Sequence, residues 1–235
     1  NLPWWILTLA SVGTNLFNTV RGSSVAYYFK YYIGENVHIN LGFTGFLFFA
    51  GLFLAVGEVC NMIGVVTAVP LSKRIGKKST FILSAIALII FSVIFFYVPC
   101  TNGGFITMLL LQIIISIFTG IISPLVWSMY ADVADYARWK DNANCTGLVF
   151  SSGSFAQKLG GAVAGSAVLM IFDAFGLVPN AMEQADSAIL GMKLTMSWIP
   201  AGISACMLIV LLAYPLTKKK MTEITNSLNT KTVTE

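Results

Sequence analysis

Ionisable side chains inside apolar stretches are the residues of this 235-residue chain that can do chemistry. Lys158 is the clearest case, because it lies in the run SSGSFAQKLGGAVAG with Ser151 and Ser154 on the same face at helical spacing. A lysine within a membrane-spanning segment is costly, so it indicates a substrate or ion pathway unless a buried carboxylate neutralises it. We interpret Lys158 as part of such a pathway, and a structural ion pair is the alternative.

Glu58 and Arg21 are the other two ionisable residues of this kind. Glu58 lies near the middle of another apolar stretch, with Asn61 one turn further on. It can pair with Lys158, gate a cavity or carry a proton, and a structural role fits it equally well. Arg21 can bind sugar hydroxyls or an acidic group, or it can anchor its helix at the membrane interface. The residues that share its stripe are polar: Thr14, Asn15 and Asn18.

Residues suited to enzyme chemistry are few. The sequence has one histidine, His38, and no zinc-protease, serine-hydrolase or phosphate-loop motif. Asp132 and Asp135 are three residues apart and can face the same way on a helix, but a salt-bridge network at their basic boundary accounts for them. We therefore expect no catalytic residue and no metal site, and an intramembrane enzyme is a distant alternative.

Six apolar stretches must position these residues. The chain is 57% hydrophobic and 10% charged, whereas a soluble domain carries about 25% charged residues. A bilayer-spanning helix needs roughly 20 apolar residues, and a span must be helical because hydrocarbon offers no water to its backbone. The polar middle of the first span indicates that it either lines a wet cavity or breaks. The predicted spans are Leu2–Tyr31, Gly45–Val69, Ser79–Val98, Phe105–Tyr130, Gly147–Phe172 and Ile189–Tyr214.

The basic residues give these spans an orientation. The segments 70–78, 131–146 and 215–235 contain four, two and four of the 14 lysines and arginines. The loops between them, 32–44, 99–104 and 173–188, contain none. The positive-inside rule then places both termini in the cytoplasm. We expect a six-helix bundle over residues 1–217 in the cell (inner) membrane, followed by a disordered polar tail over 218–235.

A family resemblance rests on the second half of the chain. Residues 127–158 read WSMYADVADYARWKDNANCTGLVFSSGSFAQK, and they are followed by LGGAVAG, FGLVPNAMEQ and YPLT. This order and spacing resembles the C-terminal half of glycoside–pentoside–hexuronide:cation symporters, the melibiose-permease family of the major facilitator superfamily. The resemblance implies an all-α polytopic membrane protein whose six transmembrane helices form one half of a transporter, with the substrate site between the halves.

The same resemblance implies roles for individual residues. Lys158 takes the position of the family's eleventh-helix lysine, which is implicated in sugar binding and cation coupling. Gln157 and Ser154 lie on the sugar-facing part of that helix, and Trp127 is a stacking platform for a sugar ring. Asp132 and Asp135 contribute to the inner gate, with Glu58, Asn61 and Lys158 as further coupling or gating candidates. Arg21 joins the substrate-binding set through its polar stripe.

The function implied is cation-coupled uptake of a sugar or glycoside by alternating access. We expect a co-transported Na⁺ or H⁺ and no cofactor, with the cation-binding acidic residues in an N-terminal six-helix half. Since the chain begins at Asn1 rather than Met, we expect it to be a piece of a longer polypeptide. Its partners would be the sugar or glycoside, that missing half and membrane lipids, but no nucleic acid. The alternatives are a lipid or drug carrier of the same superfamily, a half-size transporter working as a homodimer, and a purely structural subunit.

Overall fold

The described part of the chain is almost entirely helical. A computed structural model describes residues 2–34, 37–40, 45–181 and 183–234. A π-helical turn, Phe29–Ile33, continues α1, and two short strands, β1 (Val37–Asn40) and β2 (Gly45–Phe48), form an antiparallel hairpin. The α-helices in these ranges are α1 (Leu2–Tyr28), α2 (Ala50–Ile75), α3 (Lys77–Phe96), α4 (Asn102–Asp141), α5 (Thr146–Ala174), α6 (Asp186–Met196), α7 (Trp198–Leu212) and α8 (Lys218–Thr234).

The expected membrane character is confirmed for five segments. Within the described ranges, α2, α3, α4, α5 and the α6–α7 pair are long and apolar enough to cross a membrane. α1 is not among them, because its apolar residues alternate with the polar residues of the Arg21 stripe. α1 nevertheless runs without a break through its polar middle. The first span was expected either to line a wet cavity or to break, and the structure has an unbroken helix.

Several predicted boundaries were wrong. The second span does not begin at Gly45, because Gly45–Phe48 pairs with Val37–Asn40 as a hairpin and helix begins at Ala50. Segment 70–78 is helical on both sides of Gly76, whose φ of 89° ends α2. α4 likewise continues to Asp141, well past the predicted end at Tyr130. Apolar runs mark where a helix crosses hydrocarbon, but they do not mark where its hydrogen bonds stop.

The tail is also different from the expected disordered segment. α8 covers Lys218–Thr234, and its apolar residues fall on one face. Ile224 is fully buried, and Met221 and Leu228 pack against the same apolar cluster as α4. Burial of these apolar residues stabilises the helix. The polar composition of the tail does not indicate this packing.

Two apolar clusters form the core, one toward each end of the bundle. The cluster near the ends of α2 and α7 includes Phe81, Tyr130 and Tyr214. The cluster at the opposite end is aromatic and is closed by the hairpin. There the ring of Phe48 lies 5.0 Å from that of Phe29 and 5.5 Å from that of Phe105. The space between the two clusters is where polar residues from several helices meet.

Two glycines let α2 and α4 approach unusually closely. A Cβ on Gly64 would overlap the carbonyl oxygen of Ile117, and a Cβ on Gly120 would overlap the carbonyl oxygen of Asn61. Small residues at such crossings are the usual means of close helix packing in membranes, because the hydrophobic effect does not drive helices together in lipid. The short distance between α2 and α4 therefore depends on glycine, which has no side chain, at positions 64 and 120.

Replacing Gly120 by Ala should destabilise the bundle, because the new methyl group meets a backbone carbonyl that cannot rotate away. We expect a loss of about 1–3 kcal/mol, the usual cost of overpacking, seen as a lower thermal unfolding midpoint in detergent. Gly165→Ala is the matched control, since its Cβ would meet no atom within 4 Å. Equal midpoints for the two variants would contradict the close approach of α2 and α4.

The sixth span is broken in the middle, at Ser197. α6 ends at Met196 and α7 begins at Trp198. Pro200 lies four residues after Met196 and has no N–H, so the Met196 carbonyl lacks its helical partner. The guanidinium of Arg21 supplies the missing donor: its Nη1 lies 2.6 Å from the Met196 oxygen. A buried arginine on α1 thereby stabilises a proline break in another helix.

Arg21→Leu should lower the thermal unfolding midpoint of the substrate-free protein. The change leaves the Met196 carbonyl without its donor, and a buried unsatisfied acceptor costs about 1–3 kcal/mol. Arg138→Leu is the control, because Arg138 is exposed and has no side-chain hydrogen bond among the described residues. A midpoint that falls no further for Arg21→Leu than for the control would show that the break does not need Arg21.

Candidate substrate cleft

A cavity of about 270 Å³ lies between α1, α2 and α4. Its walls are mostly polar, although the helices that form them are apolar. It is partly open at the surface of the chain, so a small solute can reach it. The lining residues are Phe17, Asn18, Arg21, Gly22, Val25, Leu54, Gly57, Glu58, Asn61, Gln112, Ile115, Ser116, Thr119 and Ser123.

Arg21 is the buried cation of this cavity. Besides the Met196 carbonyl, it binds the side chain of Gln112, with Nη2 2.8 Å from Oε1. Its guanidinium carbon lies 5.2 Å from the centre of the Phe95 ring, close enough for a cation–π contact. The side chain is only 5% exposed, and among the described residues no carboxylate forms an ion pair with it. The interface-anchor alternative does not describe this buried position.

Glu58 and Asn61 form the opposite wall of the same cavity. Glu58 is exposed on α2, and the Asn61 amide donates to the Thr119 hydroxyl of α4 over 3.3 Å. The cavity therefore carries one cation and one anion that do not touch each other. Hydroxyls and amides lie between these charges. Such a lining can donate and accept several hydrogen bonds at once, which suits a solute rich in hydroxyl groups.

A smaller cavity of about 100 Å³ continues the first one toward α5. Asn18 and Ser123 line both cavities, so we describe the two together as the substrate cleft. The cleft thus follows the contact of α1 with α4 and is flanked by α2 on one side and α5 on the other. The lining residues of the smaller cavity are Ser11, Thr14, Asn15, Asn18, Ser123, Val126, Trp127 and Gln157.

Trp127 presents an aromatic surface to the smaller cavity. Its ring stacks on that of Phe150, with centroids 6.2 Å apart and an interplanar angle of 5°. Tyr130 lies on another side, at 6.0 Å. Because neighbouring rings hold the indole in place, it can act as a fixed platform for a flat apolar face of a solute.

Lys158 and Ser154 lie on the exposed part of α5, outside the linings of both cavities. The Ser154 hydroxyl donates to the Phe150 carbonyl of its own helix over 3.2 Å. At about 100° per residue, Ser151 and Ser154 lie within about 40° of Lys158 around the helix. Gln157 lies about 60° from Ser154 and about 100° from Lys158 around the helix, and it lines the smaller cavity. The polar face of α5 therefore begins at the cleft and continues onto the open surface of the chain.

One of the alternatives for Glu58, an ion pair with Lys158, is not formed within the described residues. The ion pairs within the described residues are Lys77–Asp132 and Lys220–Glu223. Asp132 lies 2.6 Å from the Lys77 ammonium at one end of the bundle, while Asp135 is exposed. The two aspartates thus do not act as one group, because only Asp132 faces the neighbouring helix.

Several cleft residues were missed by the sequence reading. Ser116, Thr119 and Ser123 line the cleft from α4 at intervals of three and four residues, and this helical spacing was a usable signal. Gln112 also lines the cavity, where its side chain binds Arg21. Nothing local in the sequence indicates that pairing, because the two residues are 91 positions apart.

The described ranges contain no group of three or more His, Cys, Asp or Glu residues that could hold a metal ion. The residues that line the cleft offer hydrogen bonding, charge and aromatic stacking. These are the means by which a protein binds a polar solute without changing it covalently.

Comparison with known proteins identifies relatives over almost the whole chain. A glucuronide carrier protein homolog of Escherichia coli (strain K12) is 27% identical over 95% of this chain and 46% of its own length. An isoprimeverose transporter of Lactiplantibacillus pentosus is 30% identical over 93% of this chain and 43% of its own length. An inner membrane symporter, YicJ of Escherichia coli (strain K12), is 28% identical over 81% of this chain and 39% of its own length.

The chain spans less than half the length of each of these three relatives. Their names describe carriers, transporters and symporters, which agrees with the expectation that the chain is not an enzyme. These relatives and the family match given next confirm the resemblance seen in the sequence and the polytopic helical fold. A profile of the family described as MFS/sugar transport protein matches residues 1–218, and the chain therefore belongs to that family.

Proposed function

We propose that this chain forms one half of a secondary active transporter that imports a sugar or glycoside together with Na⁺ or H⁺. The observation that carries the proposal is the polar substrate cleft between α1, α2, α4 and α5. In an otherwise apolar bundle, so many hydrogen-bonding groups around an open space are costly unless a polar solute or water fills it.

The chemistry of the cleft favours a sugar over an amphiphile. Asparagine, glutamine, serine and threonine side chains line it, and Arg21 and Glu58 add one charge of each sign. A lipid or drug carrier needs a larger apolar surface for its substrate. Two relatives have sugar derivatives in their names, a glucuronide and isoprimeverose. These names support a sugar solute for this chain.

The proposed role of Lys158 follows from its exposed position on α5. Its ammonium lies on the polar face that Gln157 connects to the cleft, and the described structure gives it no ion pair. In the proposed transporter this face meets an N-terminal six-helix half. Lys158 would then donate hydrogen bonds to the sugar and respond to the charge of the cation site. The acidic cation ligands would then lie in that other half, as the family resemblance implies.

The proposed transport cycle requires the two halves to rock about the cleft. Both termini would lie in the cytoplasm of a cell whose inner membrane holds the protein. The Lys77–Asp132 pair would lie at the cytoplasmic end of the bundle and contribute to the inner gate. Asp135, Glu58 and Asn61 remain proposed gating or coupling residues.

Lys158→Leu in the whole transporter should abolish coupled sugar accumulation while the protein still inserts into the membrane. The substitution removes the positive charge of Lys158 and leaves the packing of α5 unchanged, because the side chain is exposed. Uptake of a labelled sugar into cells measures the effect, and surface labelling measures insertion. Lys219→Leu, on an exposed residue of α8, is the control for the loss of one positive charge. Normal accumulation by Lys158→Leu would defeat the role assigned to Lys158.

Ser123→Leu should weaken sugar binding because its side chain would fill the junction of the two cavities. We expect the affinity for a glucuronide or isoprimeverose to fall at least about tenfold, equivalent to ~1.4 kcal/mol. Equilibrium binding to the purified transporter measures this without transport. Ser166→Leu, on an exposed residue of α5 outside the cleft, is the matched control. If amphiphiles bind and neither sugar does, the superfamily's lipid or drug carriers become the better assignment.

A further inference from the structure

A separate cavity of about 290 Å³ lies at the end of the bundle where α2 stops and α3 starts. It has no residue in common with the substrate cleft. We call it the basic cavity, because four of its lining residues are lysines. Its lining residues are Ser72, Lys73, Gly76, Lys77, Lys78, Asp132, Leu216, Lys218, Met221, Thr222 and Thr225.

The charges of the basic cavity do not cancel. Lys77 pairs with Asp132 over 2.6 Å, and this pair uses the one carboxylate of the lining. Lys73, Lys78 and Lys218 form no ion pair with any carboxylate in the described ranges. Three positive charges are therefore held around one small space. A cluster of this kind is stable only if an anion or water compensates it.

Two of these lysines are fixed by helix ends. Lys78 donates to the carbonyls of Leu212 and Tyr214, at 2.9 and 2.6 Å. Lys218 donates to the carbonyls of Lys73 and Arg74, at 2.7 and 3.4 Å. Each ammonium has three N–H groups, so these bonds position it and leave donor capacity for a ligand. The Lys73 ammonium is exposed and has no hydrogen bond within the described part of the chain.

The first turn of α3 adds to the positive field. α3 begins directly after Gly76, its cap provides no side-chain acceptor, and its first turn contains no acidic residue. The free N–H groups of a helix N-terminus attract an anion. The residues at this N-terminus, Gly76, Lys77 and Lys78, line the same cavity as the other lysines, so the helix end and the side chains favour a ligand of the same charge.

Apolar surface lies directly beside the charges. Leu216 and Met221 form part of the cavity wall. On the side of α2 that carries Lys73, Met62, Val66 and Val69 lie within about 60° of one another around the helix and are 67%, 73% and 53% exposed. A ligand that suits both surfaces has an anionic head and hydrocarbon chains. We propose that the basic cavity binds the phosphodiester headgroup of an anionic phospholipid, whose acyl chains lie along the exposed apolar face of α2.

The test uses the whole transporter as the cell makes it, reconstituted in phosphatidylcholine nanodiscs with a minor fraction of phosphatidylglycerol. Native mass spectrometry counts the phosphatidylglycerol molecules retained by the protein. Lys73→Gln/Lys218→Gln should reduce the retention of the lipid about tenfold, given the attraction of an anionic headgroup for each lysine. The matched control is Lys140→Gln/Lys219→Gln, which removes the same charge from exposed residues outside the cavity lining.

Lys73→Gln alone keeps the experiment informative if the double variant fails to fold, because Lys73 caps no helix. It should reduce retention severalfold, with the thermal midpoint in pure phosphatidylcholine unchanged. Equal losses for the double variant and its control would overturn the proposal, since general attraction to an anionic surface would then explain the binding. Displacement of the lipid by inorganic phosphate at matched phosphorus concentration would also overturn it, in favour of a soluble anion.

Discussion

The bundle depends on one constraint: polar groups within an apolar environment must find partners inside the protein. Pro200 removes the donor that the Met196 carbonyl needs, and Arg21 replaces it across 175 positions of sequence. The same guanidinium binds Gln112 on α4. One side chain of α1 therefore connects the broken sixth span to the wall of the cleft, and the shape of the cleft follows from this connection.

Close packing of α2 against α4 determines the other side of the cleft. Gly64 and Gly120 bring the two backbones together, so Asn61 can reach Thr119 over 3.3 Å. Near the same crossing, Glu58 remains exposed and faces the open cavity. Small residues thus fix one side of the cavity, while the buried arginine fixes the other. The cleft is a consequence of how the helices pack, and no single loop or motif creates it.

The sequence predicted the class of fold well, and it singled out several residues of the cleft whose roles in transport stay predictions, because both rest on strong local signals. Long apolar runs have one structural solution in hydrocarbon, and a charged residue within such a run is rare enough to stand out. Arg21, Glu58, Asn61, Trp127 and Gln157 were identified in this way or through the family resemblance, and all five line the cleft.

What the sequence did not predict depends on contacts between distant residues. The bond from Arg21 to Gln112 joins two helices, so no local pattern contains it. α8 is helical because Ile224 reaches the core, whereas the polar composition of the segment indicated disorder. Gly45–Phe48 was assigned to a span because it is apolar, but it is a strand, and Phe48 packs in an aromatic cluster of the protein.

α4 connects the substrate cleft to the basic cavity. It extends for 40 residues, and it carries Ser123 and Trp127 in the cleft as well as Asp132 in the basic cavity. Asp132 is held to α3 through Lys77, so the end of α4 cannot shift without changing the wall of the basic cavity. If α4 tilts as a rigid rod when the transporter rocks, the same movement reshapes both sites. A lipid that binds the basic cavity better in one arrangement of the helices would then raise the population of that arrangement, and with it one shape of the cleft.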